Sequence, residues 1–326
     1  MNQIKYSAIP ATMGQLGDRF MGVGYKENGG LDFESVLAAL KELNLVDALE
    51  LCYGGQGRES DPVYIREQMD KYGFEVSFVI PTLHCERIWK NGTLSASDPK
   101  TRKQAVQFSK DTMDFAEKIG AKGVSFWIGQ DGFDYAFQTD YKAQWDRLVE
   151  SVKEIADYKP GLKLALEPKL REPRGRSLID TTNTALLICL ETGKENVGVT
   201  IDVGHVFQAG MNVSQNIEIA NKYGKMYNFH VNDNYGTWDD DMIFGSVRFL
   251  ESLEMFYTLE KIGYDQYLSV DIFPFRDKSI EATRESILYM KKYREMVNKI
   301  GMEKLSELIA GNDITEVLAV VRKELL

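Results

Sequence analysis

The sequence predicts the α/β class and one architecture within it, a (β/α)8 TIM barrel followed by a C-terminal helical extension. Three observations predict it. Eight short apolar runs alternate with eight longer amphipathic stretches along the 326 residues. The runs are almost continuously apolar, as parallel strands covered by helices are. The alternation fills residues 1–298 as one barrel domain with no linker or repeat to divide it. An open doubly wound sheet would need fewer strands or an inserted domain, and neither is visible.

The elements follow in order. Tyr6–Ile9 is the first strand, and the helix at 31–43 opens at Asp32, whose carboxylate can meet free backbone N–H groups. Phe33, Val36, Leu37 and Leu40 make that helix's apolar stripe. Ala48–Cys52 and 60–72 form the second unit. Glu75–Ile80 and 101–119 form the third, closed by Gly120 as a cap. Gly123–Ile128 with 140–157 and Leu162–Glu167 with 180–193 follow. Val197–Asp202 leads to 213–223 and Gly224, and Met226–Val231 leads to 246–262 and Gly263. Tyr267–Phe273 and 280–298 complete the barrel. The tail, 299–326, carries Met302, Leu305, Leu308 and Ile309, then Ile314, Val317, Leu318, Val320, Val321 and Leu325. These read as two short helices that either pack under the barrel or join a neighbour, so a homodimer or homotetramer is expected.

Composition narrows the function. Lys plus Arg number 39 against 49 Asp plus Glu, a formal net charge of -10. An acidic chain without a basic stripe argues against nucleic-acid binding, which leans on phosphate neutralisation. Cys52, Cys85 and Cys189 have neither disulfide nor zinc-ligand spacing. With no apolar signal core in MNQIKYSAIPATMG and no window of transmembrane length, a cytoplasmic protein without membrane contact is expected. Gly22 and Gly24 do not make a nucleotide-binding loop, because the spacing and the strand–helix context are missing.

In such a barrel the working groups stand at the C-terminal ends of the strands and in the loops behind them. There lie all three histidines of the chain, His84, His205 and His230, among many carboxylates. Glu167, Asp202 and Asp271 would converge on one mouth. Three ionised carboxylates repel one another, and a divalent cation removes much of that penalty. With His230 they offer three oxygens and one nitrogen, a set suited to Mn²⁺, Co²⁺, Mg²⁺ or Zn²⁺. Asp239 and Asp241 can share one side of an extended loop. With His205 and Asp202 they could hold a second ion, or they form a solvated acidic turn. Lys169 can neutralise these acids, donate to a substrate oxygen, or pair with Glu172. His84 is a donor or acceptor of near-neutral reference pKa. Trp127, Trp89, Phe20 and Trp238 could wall a pocket for a monosaccharide, which has both apolar C–H faces and hydroxyls.

At these residues the chain resembles the xylose isomerase-like TIM-barrel proteins. The stretch Glu167-Pro168-Lys169-Leu170-Arg171-Glu172-Pro173-Arg174-Gly175 is similar to that group's Glu-Pro-Lys segment and the Glu-Pro-Arg-Gly behind it. Asp202-Val203-Gly204-His205, Ala209-Gly210-Met211-Asn212, Phe229-His230-Val231-Asn232-Asp233 and Asp239-Asp240-Asp241-Met242-Ile243-Phe244-Gly245 continue it. Strand 6 ends in Asp202 where xylose isomerase has glutamate, and strand 7 offers His230 where it has aspartate. The set Glu, Asp, His, Asp looks nearest to the L-rhamnose isomerase and xylose isomerase branch.

The resemblance implies an aldose–ketose isomerase that moves a hydride between C1 and C2. Glu167, Asp202, His230 and Asp271 would hold one ion, and Asp202, His205, Asp239 and Asp241 a second. Mn²⁺ is the ion expected, at one or two per subunit. Lys169 would stabilise charge on an oxygen, and His84 would assist ring opening. The alternative is a metal-dependent ketose 3-epimerase, or a relative that cleaves oxidised C-glycosides, with Glu167 and Asp271 as its acid/base pair. A sugar-binding barrel without catalysis would not need seven ligand candidates.

Overall fold

Eight parallel strands close on themselves: β1 (Lys5–Ala8), β2 (Ala48–Tyr53), β3 (Glu75–Pro81), β4 (Gly123–Phe126), β5 (Lys163–Leu166), β6 (Val197–Asp202), β7 (Met226–Val231) and β8 (Tyr267–Val270). Each pairs with the next, and β8 returns to β1, with Ser7 opposite Ser269. This computed structural model describes residues 3–26, 30–54 and 58–325. Met1, Asn2 and Leu326, at the edges of the expected barrel and tail, lie outside them. All eight expected strands are present. β4 and β8 stop earlier than the apolar runs do, because Ile128 and Ile272 are buried beyond the last paired residues. Burial, not pairing, carries the apolar signal there.

The connecting helices are α1 (Phe33–Leu43), α2 (Pro62–Tyr72), α3 (Pro99–Ile119), α4 (Tyr141–Tyr158), α5 (Thr182–Thr192), α6 (Val213–Lys222), α7 (Phe249–Ile262) and α8 (Ser279–Ile300). Their ends follow capping chemistry. The Asp32 carboxylate accepts from the Ser35 N–H at 2.8 Å. Asp98 accepts from Thr101 and stands before Pro99, so α3 begins two residues ahead of its expected start. Gly120 and Gly263 close their helices at positive φ, 77° and 73°.

The apolar core fills the shell between strands and helices, with Leu37, Leu40, Val79, Val124, Leu166, Ile201, Phe229, Val231 and Ile287 among its members. The barrel interior is polar. Ser7 and Ser77 meet across it at 2.8 Å, and Ser125 meets Thr200 at 2.7 Å. These pairs join strands that are not neighbours, so they mark the inward positions. Side chains alternate along a strand, so the same alternation carries Asp202 inward two residues after Thr200.

Two features were not expected, and the tail takes one of its two expected courses. A short helix, Val203–Gln208, leaves β6 directly, capped by Asp202, which accepts from the His205 N–H at 2.8 Å. Gly132–Phe133 and Arg176–Ser177 pair antiparallel above the rim. The tail helices α9 (Met302–Gly311) and α10 (Ile314–Leu325) turn back onto α7 and α8. Leu305, Leu308 and Val321 are buried there, while Ile309, Ile314 and Leu318 remain exposed. The tail stripe therefore divides, and one side of it covers the barrel's own helices. Among the described residues no helix is long and apolar enough to cross a membrane.

Candidate metal centre

Four consecutive strands deliver the site. Asp202 stands level with His230 in the β6–β7 ladder, and His230 with Ser269 in the β7–β8 ladder. Asp271 lies two residues beyond Ser269, on the same side of its strand. Glu167 follows β5 directly, its N–H donating to the Phe126 carbonyl at 3.0 Å. One potential ligand atom from each of Glu167, Asp202, His230 and Asp271 lies within 4.8 Å of all the others. Glu167, Asp202 and His230 are buried and Asp271 is half-buried. Of the seven expected ligands, these four make a common centre.

Its electrostatics fit a cation. His230 Nδ1 lies 3.4 Å from Glu167, 3.8 Å from Asp202 and 3.3 Å from Asp271. It is buried and makes no hydrogen bond. Burial pushes Asp202 up to about 7, with Asp239 and Glu167 adding to the shift. Burial would also lift Glu167, but His230, His205 and Lys169 outweigh it and hold that carboxyl below its usual range. A nitrogen with no partner among crowded carboxylates is the donor set that a hard or borderline divalent ion takes.

Of the other three expected ligands, Asp239 and His205 pair with each other. The Asp239 carboxylate receives Lys169 Nζ at 2.9 Å and His205 Nε2 at 3.0 Å. Lys169 also reaches Glu172 at 2.8 Å. Burial disfavours the Lys169 charge, but Asp239, Asp241 and Glu172 prevail and raise its pKa. Burial likewise opposes a charge on His205, yet Asp202 and Asp239 push it up to about 9. Asp241 has φ 48°, and burial with Asp239 nearby raises its carboxyl well above the usual range. Gly204 permits this crowding: a Cβ there would stand 2.0 Å from Asn232 Oδ1.

The aromatic candidates separate. Trp127 lines the site: its ring is 4.5 Å from the His84 ring and 5.2 Å from Lys169 Nζ. Its Nε1 and His84 Nδ1 are buried without hydrogen-bond partners. Trp89 is buried against Phe108, whereas Phe20 and Trp238 are exposed, Phe20 to 82%.

Burial lowers His84 to about 4, and Lys169 adds to that shift against the pull of Glu167. Above pH 6.5 the ring is neutral in both folded and unfolded chains. As pH falls through 6.5 towards 4 the unfolded ring protonates first, and the folded protein loses roughly 3 kcal/mol relative to a variant without the imidazole. Denaturant unfolding of wild type and His84→Phe at pH 7 and pH 4 reads this difference. A gap that does not change with pH would mean that the ring charges as easily inside the fold as outside it.

Sequence reasoning missed Glu50. It lies in β2, wholly buried, with Oε1 3.1 Å from His230 Nε2. Asn228 Nδ2 donates to both of its oxygens, at 3.0 and 3.3 Å. The available signal was a glutamate inside the apolar run Ala-Leu-Glu-Leu-Cys, in step with the inward positions.

Comparison with known proteins agrees with this architecture. The family described as "Xylose isomerase-like TIM barrel" matches residues 46–293. Xylose isomerase of Thermus thermophilus is 28% identical over 266 residues, 78% of this chain and 68% of that enzyme. Among solved structures, a D-tagatose 3-epimerase-like protein superposes with TM-score 0.69 at 21% identity, covering 90% of this chain and 98% of its own. An L-ribulose 3-epimerase superposes with TM-score 0.72 at 16% identity, covering 94% and 98%. These matches correct the expected placement in the L-rhamnose isomerase and xylose isomerase branch. The 3-epimerases share the fold over nearly their whole length, whereas almost a third of the xylose isomerase has no counterpart here. The ligand set misled because three carboxylates and a histidine bind a divalent ion whichever reaction follows.

Proposed function

The chain belongs to the xylose isomerase-like TIM-barrel family, and from that premise we propose that it is a metal-dependent sugar enzyme that moves a proton beside a carbonyl, as a ketose 3-epimerase does. One observation carries the reading. Glu167 and Asp271 come from the first and last strands of the four-strand arc and approach His230 Nδ1 from β5 and β8, at 3.4 and 3.3 Å. Two carboxylates at the ends of an arc can address the two faces of a sugar held between them. The 3-epimerases that share the fold support the same reading.

Glu167, Asp202, His230 and Asp271 would hold one divalent ion per chain, Mn²⁺ or one of Co²⁺, Mg²⁺ and Zn²⁺. When bound, the ion supplies Lewis-acid polarisation of the sugar's oxygens. A second ion is not part of the proposal, since Lys169 and His205 already occupy the Asp239 carboxylate. One of the pair Glu167 and Asp271 takes the C3 proton, and the electron pair of that C–H bond moves toward the C2 carbonyl. The other gives a proton to the opposite face of C3. Lys169, fixed by Asp239 and Glu172, holds positive charge beside the site and favours a negative substrate oxygen. Neutral His84 and the Trp127 N–H offer unpartnered polar atoms to sugar hydroxyls, and the Trp127 ring offers an apolar face.

Turnover of ketohexoses and ketopentoses in D₂O tests this. The expected product is a ketose inverted at C3 that carries solvent deuterium there, while the carbonyl stays at C2. An aldose product with no solvent label at C1 or C2 would replace the proposal with a hydride shift.

A further inference from the structure

We propose that Glu50 is a positioning residue for the metal centre: its buried carboxylate accepts the His230 Nε2–H and thereby presents the Nδ1 lone pair to the ion. The inference rests on the reading of Glu167, Asp202, His230 and Asp271 as ligands.

Hydrogen-bond bookkeeping on the far side of the imidazole supports it. Asn228 Nδ2 donates to both Glu50 oxygens, at 3.0 and 3.3 Å, so the carboxylate acts as an acceptor; the same amide nitrogen also stands 3.1 Å from His230 Nε2. His230 Nε2, 3.1 Å from Glu50 Oε1, must then carry a hydrogen for that contact to attract. In a neutral imidazole this leaves Nδ1 bare. Nδ1 is the nitrogen that faces Glu167, Asp202 and Asp271, and it has no hydrogen bond of its own.

Glu50 has no evident place in the economy of the fold. It is wholly buried, and among the described residues its ion-pair partner is His230. A buried carboxylate loses its hydration, and an apolar side chain of similar size often serves a core as well or better. Its position is accounted for by what it does to His230. A carboxylate behind a ligand imidazole fixes the ring's tautomer and rotation and makes its free nitrogen a stronger donor. The contact also spans the barrel from β2 to β7, so a strand that supplies no ligand takes part in the centre.

The test uses the full chain and the metal alone. Mn²⁺ titrated calorimetrically into metal-free wild type, Glu50→Gln and Glu50→Leu should bind about 10- to 100-fold more weakly to both variants. The metal-free variants should unfold at denaturant concentrations no lower than wild type. In the Zn²⁺-loaded wild type, ¹⁵N spectra should show His230 protonated at Nε2, and Glu50→Leu should lose that slowly exchanging proton. Equal affinity in wild type and Glu50→Gln overturns the inference while leaving the metal centre intact. So does a loss of affinity that only tracks a matching loss of metal-free stability, which is what a packing role would produce. A wild type that binds no ion overturns the metal centre itself, and the role of Glu50 with it.

Discussion

Removing the divalent ion should bring turnover to background, and Mn²⁺, Co²⁺ or Mg²⁺ should restore it. The effect is expected to be near total because the ligand atoms of Glu167, Asp202, His230 and Asp271 stand within 4.8 Å of one another in largely buried surroundings. Without a cation, burial pushes the Asp202 carboxyl up to about 7, whereas Glu167 stays below its usual range. A centre in that state lacks the Lewis acid that would polarise a carbonyl. The same linkage reaches stability. An ion that binds only the folded chain adds about 2.7 kcal/mol when present at a hundredfold excess over its dissociation constant. Chelation followed by elemental analysis, activity and denaturant unfolding checks all three consequences. Full turnover by protein verified as metal-free would remove the metal from the mechanism.

Glu167→Gln should lower kcat by about 10²- to 10⁴-fold, the usual contribution of a positioned general acid or base. Glutamine keeps an oxygen for the ion and nearly the same volume, so the variant separates proton transfer from metal binding. Metal content measured on the same sample establishes that separation. Asp271→Asn should show a loss of similar size. In the proposed reaction each carboxylate serves one face of C3, so each single variant should still exchange the C3 hydrogen of one epimer with solvent while failing to invert it. NMR of each epimer incubated in D₂O reads this directly. If Glu167→Gln with its ion bound keeps activity within tenfold of wild type, Glu167 is a ligand and not a proton carrier. If neither variant exchanges either epimer, the two carboxylates do not divide the faces between them.

Much of this protein was legible in one dimension. The eight strands could be read because each is covered by helices, so its outward side chains are apolar and the run stands out. The helix starts at Asp32 and the stops at Gly120 and Gly263 could be read because capping is local chemistry between near neighbours. That the three histidines gather at one rim follows from strand direction alone. The tertiary structure decided which of these groups meet. Barrel closure sets the register that brings Asp202 level with His230 and leaves Asp271 one pleat higher. It also brings the Lys169 ammonium onto Asp239, and no spacing in the chain announces that pair. Trp89 went to the core while Trp127 lined the site, although both are tryptophans behind strands. Glu50 was hidden for the same reason. It meets His230 across 180 residues of chain, and only the curvature of a closed sheet turns the inward faces of β2 and β7 toward each other. Local sequence fixes what each strand can offer, whereas contacts across the barrel depend on how all eight strands tilt and close.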